Sequence, residues 1–196
     1  MSEQKSALNA AKASLSPFIQ QVVKDAEKAV TFVCSVVDQL KTLPSPTKLY
    51  DNGVLWSYDR NWSYIELHFG YGGDITLKLR RYGSDAVTLT NLSVEMAVNL
   101  IRVRLLRMTT DEPIKNFKWE QLRRSALNDI QSSVDFCEAV DQSLQKTVQP
   151  AEVRAFKTFD NSNILGYWKL AWGVGEQRLE INVADTRDTQ IRFPGS

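Results

Sequence analysis

Apolar residues recur at Ile19, Val23, Ala26, Val30, Val33, Val37 and Leu40, with spacings that alternate four and three. That period predicts a helix packed lengthwise on another helix. Ser16 stands where a side-chain oxygen accepts from free backbone amides, and Pro17 takes the first helical position, where its missing N–H costs nothing. Pro44 and Pro46 close the helix. The pattern then switches to alternation over residues 54–58, 62–69, 75–80 and 87–90, joined by short links rich in Asp, Asn, Gly and Ser. Such links predict an antiparallel meander. A second amphipathic segment, 93–108, runs to a break at Asp111, Glu112 and Pro113, and a further long helix ends near Lys146. Alternation returns at 153–159, 165–172, 179–183 and 190–193.

The two halves read as copies. Cys34 and Cys137 lie 103 residues apart, and the same offset pairs Val37 with Val140, Asp38 with Asp141, Tyr64 with Tyr167, Leu67 with Leu170, Gly70 with Gly173 and Gly72 with Gly175. One added residue then sets Leu77 and Leu79 on Ile181 and Val183. Strand parity also fixes a register. Phe69 opposite Ile75 carries Leu67 onto Leu77 and Ile65 onto Leu79, an apolar face, while Glu66 meets Lys78 and Tyr64 meets Arg80 on the other. In the second half Trp172 opposite Leu179 sets Leu170 on Ile181 and Trp168 on Val183. The fold class expected is α+β: two duplicated units, each a helix plus a four-stranded antiparallel meander, with the long helices packed together about an approximate internal twofold. The first unit with its connecting helix takes residues 1–110 and the second 111–196, the two fused in one globular body.

Composition narrows function mainly by exclusion. In 196 residues, 24 Lys and Arg stand against 23 Asp and Glu, so the net charge of +1 supplies no whole-molecule attraction for nucleic acid or anionic lipid. The start of the chain is polar and lacks the apolar core of a signal peptide, and no apolar run approaches the roughly 20 residues of a membrane span. A cytoplasmic protein without membrane attachment is expected. The two cysteines have no CxxC or Cys/His spacing, which argues against a zinc site and for buried, reduced thiols.

The cast for catalysis is thin. His68 is the one imidazole, opposite Thr76 in the expected register, with no nucleophile or carboxylate partner marked by motif spacing. Gly70, Gly72 and Gly73, like Gly173 and Gly175, join strand to strand rather than opening a helix, so they are turns and not phosphate loops. No catalytic residue, metal site or cofactor is expected. Asp38 and Asp141, as equivalent carboxylates on the long helices, are the one pair worth testing for a cation.

The segment 93–108 carries more apolar surface than one buried stripe needs. Leu105 and Leu106, with Trp56 and Tyr58 on one face of the opening strand, are therefore the candidate contacts for a partner protein. This leads to the first functional expectation, a non-enzymatic interaction module: an adaptor, inhibitor, antitoxin or immunity-like factor, or chaperone-like binder, with self-association included. The alternative is nucleic-acid binding. From Lys78 to Arg124 ten basic residues face five acidic ones, and Trp62, Tyr64, Lys78, Arg80, Arg102, Arg104 and Arg107 would form a cationic surface with stacking rings.

Overall fold

A computed structural model describes residues 16–58, 62–144, 150, 152–156, 167–172, 179–184 and 189–192. Helix α1, Pro17–Leu40, begins as the sequence requires, with the Ile19 amide donating to Ser16 Oγ at 3.2 Å. Its buried stripe is wider than a coiled-coil seam. Phe18, Val22, Ala29 and Val36 are buried beside the expected Ile19, Ala26, Val33, Val37 and Leu40, whereas Val23 is only half-buried and Val30 is exposed. A helix with a sheet to cover buries a broad face, and the narrow four-three seam read from the sequence understates it.

Five strands follow, β1 Lys48–Tyr50, β2 Gly53–Tyr58, β3 Ser63–Phe69, β4 Ile75–Arg80 and β5 Val87–Leu89, forming one antiparallel sheet in chain order. The expected register is realised. Phe69 pairs with Ile75, Leu67 with Leu77, Ile65 with Leu79, Glu66 with Lys78, Tyr64 with Arg80 and His68 with Thr76. The count of four strands is corrected to five, because three residues in the proline-flanked link pair with the start of the meander: Lys48 with Leu55 and Tyr50 with Gly53. A three-residue strand carries too little alternation to be read from a sequence. Gly53 has a packing reason of its own, since a Cβ there would lie 2.4 Å from the Leu67 carbonyl oxygen and 2.7 Å from His68 Nδ1.

Helix α2, Val94–Leu105, starts from Ser93, whose Oγ accepts from the Met96 amide at 3.1 Å. It buries Ala97, Val98 and Ile101 and packs on β4. The helix stops three residues short of Met108, and Arg107 and Met108 continue as a turn with tighter bonds to Arg104 and Leu105. Helix α3, Trp119–Leu144, precedes a second antiparallel sheet of β6 Glu152–Phe156, β7 Tyr167–Trp172, β8 Leu179–Ala184 and β9 Thr189–Arg192, again in chain order. Here too Trp172 pairs with Leu179, Leu170 with Ile181 and Trp168 with Val183. The protein is thus α+β with antiparallel sheets. The expected helix end near Lys146, the outer parts of strands 153–159 and 165–172, Phe193 and the turn glycines Gly173 and Gly175 lie outside the described residues.

The chain forms two compact units, residues 1–28 with 130–196 and residues 29–129. Each takes part of both long helices; the boundary drawn at 110 from the sequence lies inside the second unit. Within the 29–129 unit, Val54, Trp56, Ile65, Leu67, Phe69, Ile75 and Leu77 are buried, as are Ala97, Ile101, Leu122 and Ala126. Arg123 pairs with Asp38 and Glu120, and Lys41 with the same two carboxylates, so the end of α1 is held beside the start of α3. The hydrogen bond from Lys41, with Arg123 alongside, holds the Asp38 carboxyl below its ordinary value. In the other unit Ser16 Oγ donates to Asp141 at 2.5 Å, and Phe18 meets Trp168 edge-to-face at 5.8 Å.

One buried bond gives this fold a pH dependence. Tyr71 donates to Asp129 at 2.8 Å, and burial, reinforced by that carboxylate, pushes its phenol well above the ordinary tyrosine value. The folded state therefore keeps the phenol neutral, while the unfolded chain ionises near pH 10. Stability from Tyr71 is fully present below about pH 10 and is lost as pH rises further. Thermal melting across about pH 8 to 11.5 should show the wild-type midpoint falling more steeply at the alkaline end than that of Tyr71→Phe; parallel curves would contradict this assignment.

Candidate functional site

Three surfaces of the 29–129 unit carry the candidate chemistry. The first is the side of α2 turned away from its buried residues. At 3.6 residues per turn, Ala97, Val98 and Ile101 take one side, and Met96, Asn99, Val103 and Leu106 take the other. Met96 and Val103 are each 56% exposed, Leu100 41% and Leu106 81%. Leu106 keeps helical backbone angles, so the apolar row continues past the formal end of the helix. Single exposed apolar residues need no explanation, but four on one face of so short a helix do.

The second is a cleft of about 640 Å³ lined by Tyr58, Ser63, Arg81, Tyr82, Ser84, Arg107, Met108 and Thr109. Its floor is fixed by the sheet: Tyr58 donates from its hydroxyl to the Arg80 carbonyl at 3.0 Å, and Ser63 Oγ accepts from the Tyr82 amide at 2.7 Å. Tyr82 is 72% exposed and meets the exposed Trp62 edge-to-face at 6.1 Å. Among the described residues neither Arg81 nor Arg107 pairs with a carboxylate.

The third is a polar cluster on the solvent side of the first sheet. His68 Nε2 lies 2.8 Å from Glu66 and Nδ1 3.4 Å from Asn52 Oδ1, with the Tyr50 ring 5.1 Å away. Lys78 approaches the second Glu66 oxygen at 3.8 Å. The expectation that His68 lacks a carboxylate is thus corrected: Glu66, two residues away on the same strand, points to the same face. Burial, with Glu66 adding to it, raises the Tyr50 phenol above its ordinary value. Both imidazole nitrogens thus have a polar neighbour within hydrogen-bond distance.

The residues singled out from the sequence separate accordingly. Trp56 and Tyr58 are buried; Trp56 Nε1 donates to the Pro44 carbonyl at 3.0 Å, so that ring belongs to the core, whereas Tyr58 lies in the floor of the cleft. Leu105 is half-buried and Leu106 exposed. Of the cationic set, Trp62 and Arg107 stand at or beside the cleft, Lys78 turns to Glu66, and Tyr64 and Arg80 stay paired across the strands. Arg102 donates to Asn99 and Thr42, each at 2.9 Å. Arg104 is half-buried, its Nε without a partner. Arg81 and Tyr82 were missed because they sit in a turn, where neither period applies; an aromatic and a cation adjacent in a polar turn were the available signal.

Asp38 and Asp141 are each engaged, by Arg123 and Lys41 and by Ser16 respectively, and no group of three metal-ligating side chains occurs among the described residues. Cys137 is buried and Cys34 half-buried. No described helix is long and apolar enough to cross a membrane. No family model, no curated protein and no solved structure matches the chain.

Proposed function

We propose that this chain is a non-enzymatic, cytoplasmic protein-interaction module, of the adaptor, inhibitor, immunity-like or chaperone-like kind, that holds another polypeptide on the outer face of α2. The observation that carries the reading is the exposed row Met96, Leu100, Val103 and Leu106 opposite a fully buried row. Burying such a row against a partner removes apolar area from water at about 25 cal/mol per Å².

A second reading, nucleic-acid binding, draws on the cleft, where two guanidiniums without carboxylate partners among the described residues stand beside two exposed rings. Affinity isolation of the full chain from its native cell, compared with Leu100→Asp/Val103→Asp and with Arg81→Ala/Arg107→Ala, separates the readings. The interaction module should lose its polypeptides in the first variant only, with little response to salt. Material that is nuclease-sensitive, falls steeply with salt and is lost only in the second variant would favour the cleft.

The duplication, with its approximate twofold and its division into 1–110 and 111–196, belongs to the same proposal. It is supported by the order of helix then meander in each half and by the parallel registers of Leu67 with Leu77 and Leu170 with Ile181.

A further inference from the structure

We propose that the cleft between the turn after β4 and the end of α2 binds a small phosphorylated ligand that carries a planar ring, a nucleoside 5′-monophosphate. The inference goes beyond the reading of α2 and needs no polypeptide partner. It rests on how the backbone holds the cleft and on what lines it. Gly83 has a φ of 73°, a left-handed conformation that lets the chain turn sharply after β4. The Ser84 amide and hydroxyl both donate to the Arg81 carbonyl, at 3.1 and 2.9 Å, and the Tyr82 amide donates to Ser63 Oγ, which ties the turn to β3. On the other side the Arg107 amide donates to the Arg104 carbonyl at 3.2 Å, and the Asp111 amide to the Ser57 carbonyl at 2.8 Å, so the chain leaving α2 is fastened to β2. Arg81 and Arg107 thus reach one cavity from two anchored segments.

No carboxylate is among the described residues that line the cleft, so its two guanidiniums make it cationic in a chain of nearly balanced charge. A guanidinium fork matches the spacing of phosphate oxygens and stays charged at every physiological pH. Two such charges match the roughly two negative charges of a phosphomonoester near pH 7, whereas each phosphodiester of a strand carries one. The Thr109 hydroxyl also lines the cleft, has no partner among the described residues, and supplies a further donor. Tyr82, 72% exposed in the same lining, and Trp62, 59% exposed beside it, offer ring faces on which a base stacks. The volume of about 640 Å³ lies within the roughly 300–1,000 Å³ of small-ligand pockets. A compact ligand suits this surface better than a long strand. Lys78 and Arg102, which would extend a track of phosphate contacts, are engaged by Glu66 and by Asn99 and Thr42.

The test is calorimetric titration of the full chain with AMP, GMP, CMP and UMP, for which dissociation constants of about 10–100 µM are expected. The purines should bind more tightly, because a larger ring covers more of Tyr82. Adenosine and inorganic phosphate, measured by competition with AMP, should each bind at least about tenfold more weakly than AMP itself. Arg81→Ala and Arg107→Ala should each weaken AMP by about tenfold or more. Tyr82→Ala should weaken AMP by about fivefold and leave phosphate within about twofold. All three positions are exposed, and circular dichroism should show each variant folded. No binding of any of the mononucleotides at about 1 mM, or binding indifferent to both arginine substitutions, overturns the proposal. So does tighter binding of a single-stranded oligothymidine without a terminal phosphate, which would assign the cleft to a strand. Leu100→Asp/Val103→Asp should bind AMP as the wild type does, so failure of α2 as a polypeptide surface and failure of the cleft are read separately; a parallel loss of AMP would contradict a separate site.

Discussion

Trp56→Ala should destabilise the 29–129 unit by about 3–5 kcal/mol, seen as a lower denaturant midpoint with little change in slope. The indole is fully buried, lies 6.3 Å from the Trp119 ring and spends its N–H on the Pro44 carbonyl. Truncation opens a cavity between rigid neighbours and leaves that carbonyl without its donor, two costs that add. A large amphipathic aromatic on a strand suits a partner surface as well as a core, and the sequence reading places Trp56 with the partner. The structure reverses the expected phenotype: the fold suffers, and any loss of partner follows from that. Loss of binding with a midpoint within about 1 kcal/mol of wild type would return Trp56 to the surface role.

Trp168→Ala should cost the other unit a similar amount, about 3–5 kcal/mol. Trp168 is 1% exposed, packs edge-to-face on Phe18 and points its Nε1 at Asp25 from 3.4 Å. Trp168→Phe separates the terms, since it keeps most of the buried ring and removes only a long hydrogen bond. That variant should retain more than half of the stability lost by Ala. Equal losses from Phe and Ala would assign the energy to the indole N–H instead of to packing.

These two residues show what the sequence makes legible. Trp168 falls on the apolar side of an alternating strand, and its pairing with Val183 follows from parity alone, because a slip by one residue would turn every side chain to the wrong face. The same rule recovers Leu67 on Leu77 and Glu66 on Lys78. Parity does not say which side of the opening strand is core, since Trp56 and Tyr58 share a face whose cover comes from elements distant in sequence. Nor does it reach β1, whose three residues pair by backbone bonds that need no pattern.

The candidate surfaces were legible in part for similar reasons. The apolar excess of α2 is visible in the sequence, but which of its residues stay exposed depends on where the sheet lies, and Leu105 turns partly inward while Met96 and Val103 turn out. The Glu66–His68 contact required only the strand assignment and an i, i+2 reading. The Arg81, Tyr82 and Arg107 cleft required the turn after β4 and the end of α2 to meet, which no local period encodes.

Site-specific crosslinking tests the central claim most directly, with a benzophenone side chain placed at Leu100 of the full chain in the cell that makes it and at exposed Lys115 as a control. The account predicts a discrete covalent adduct with a polypeptide from Leu100, absent from Lys115 and lost when Val103→Asp is added. An unmodified chain from Leu100, or identical adducts from both positions, would contradict it.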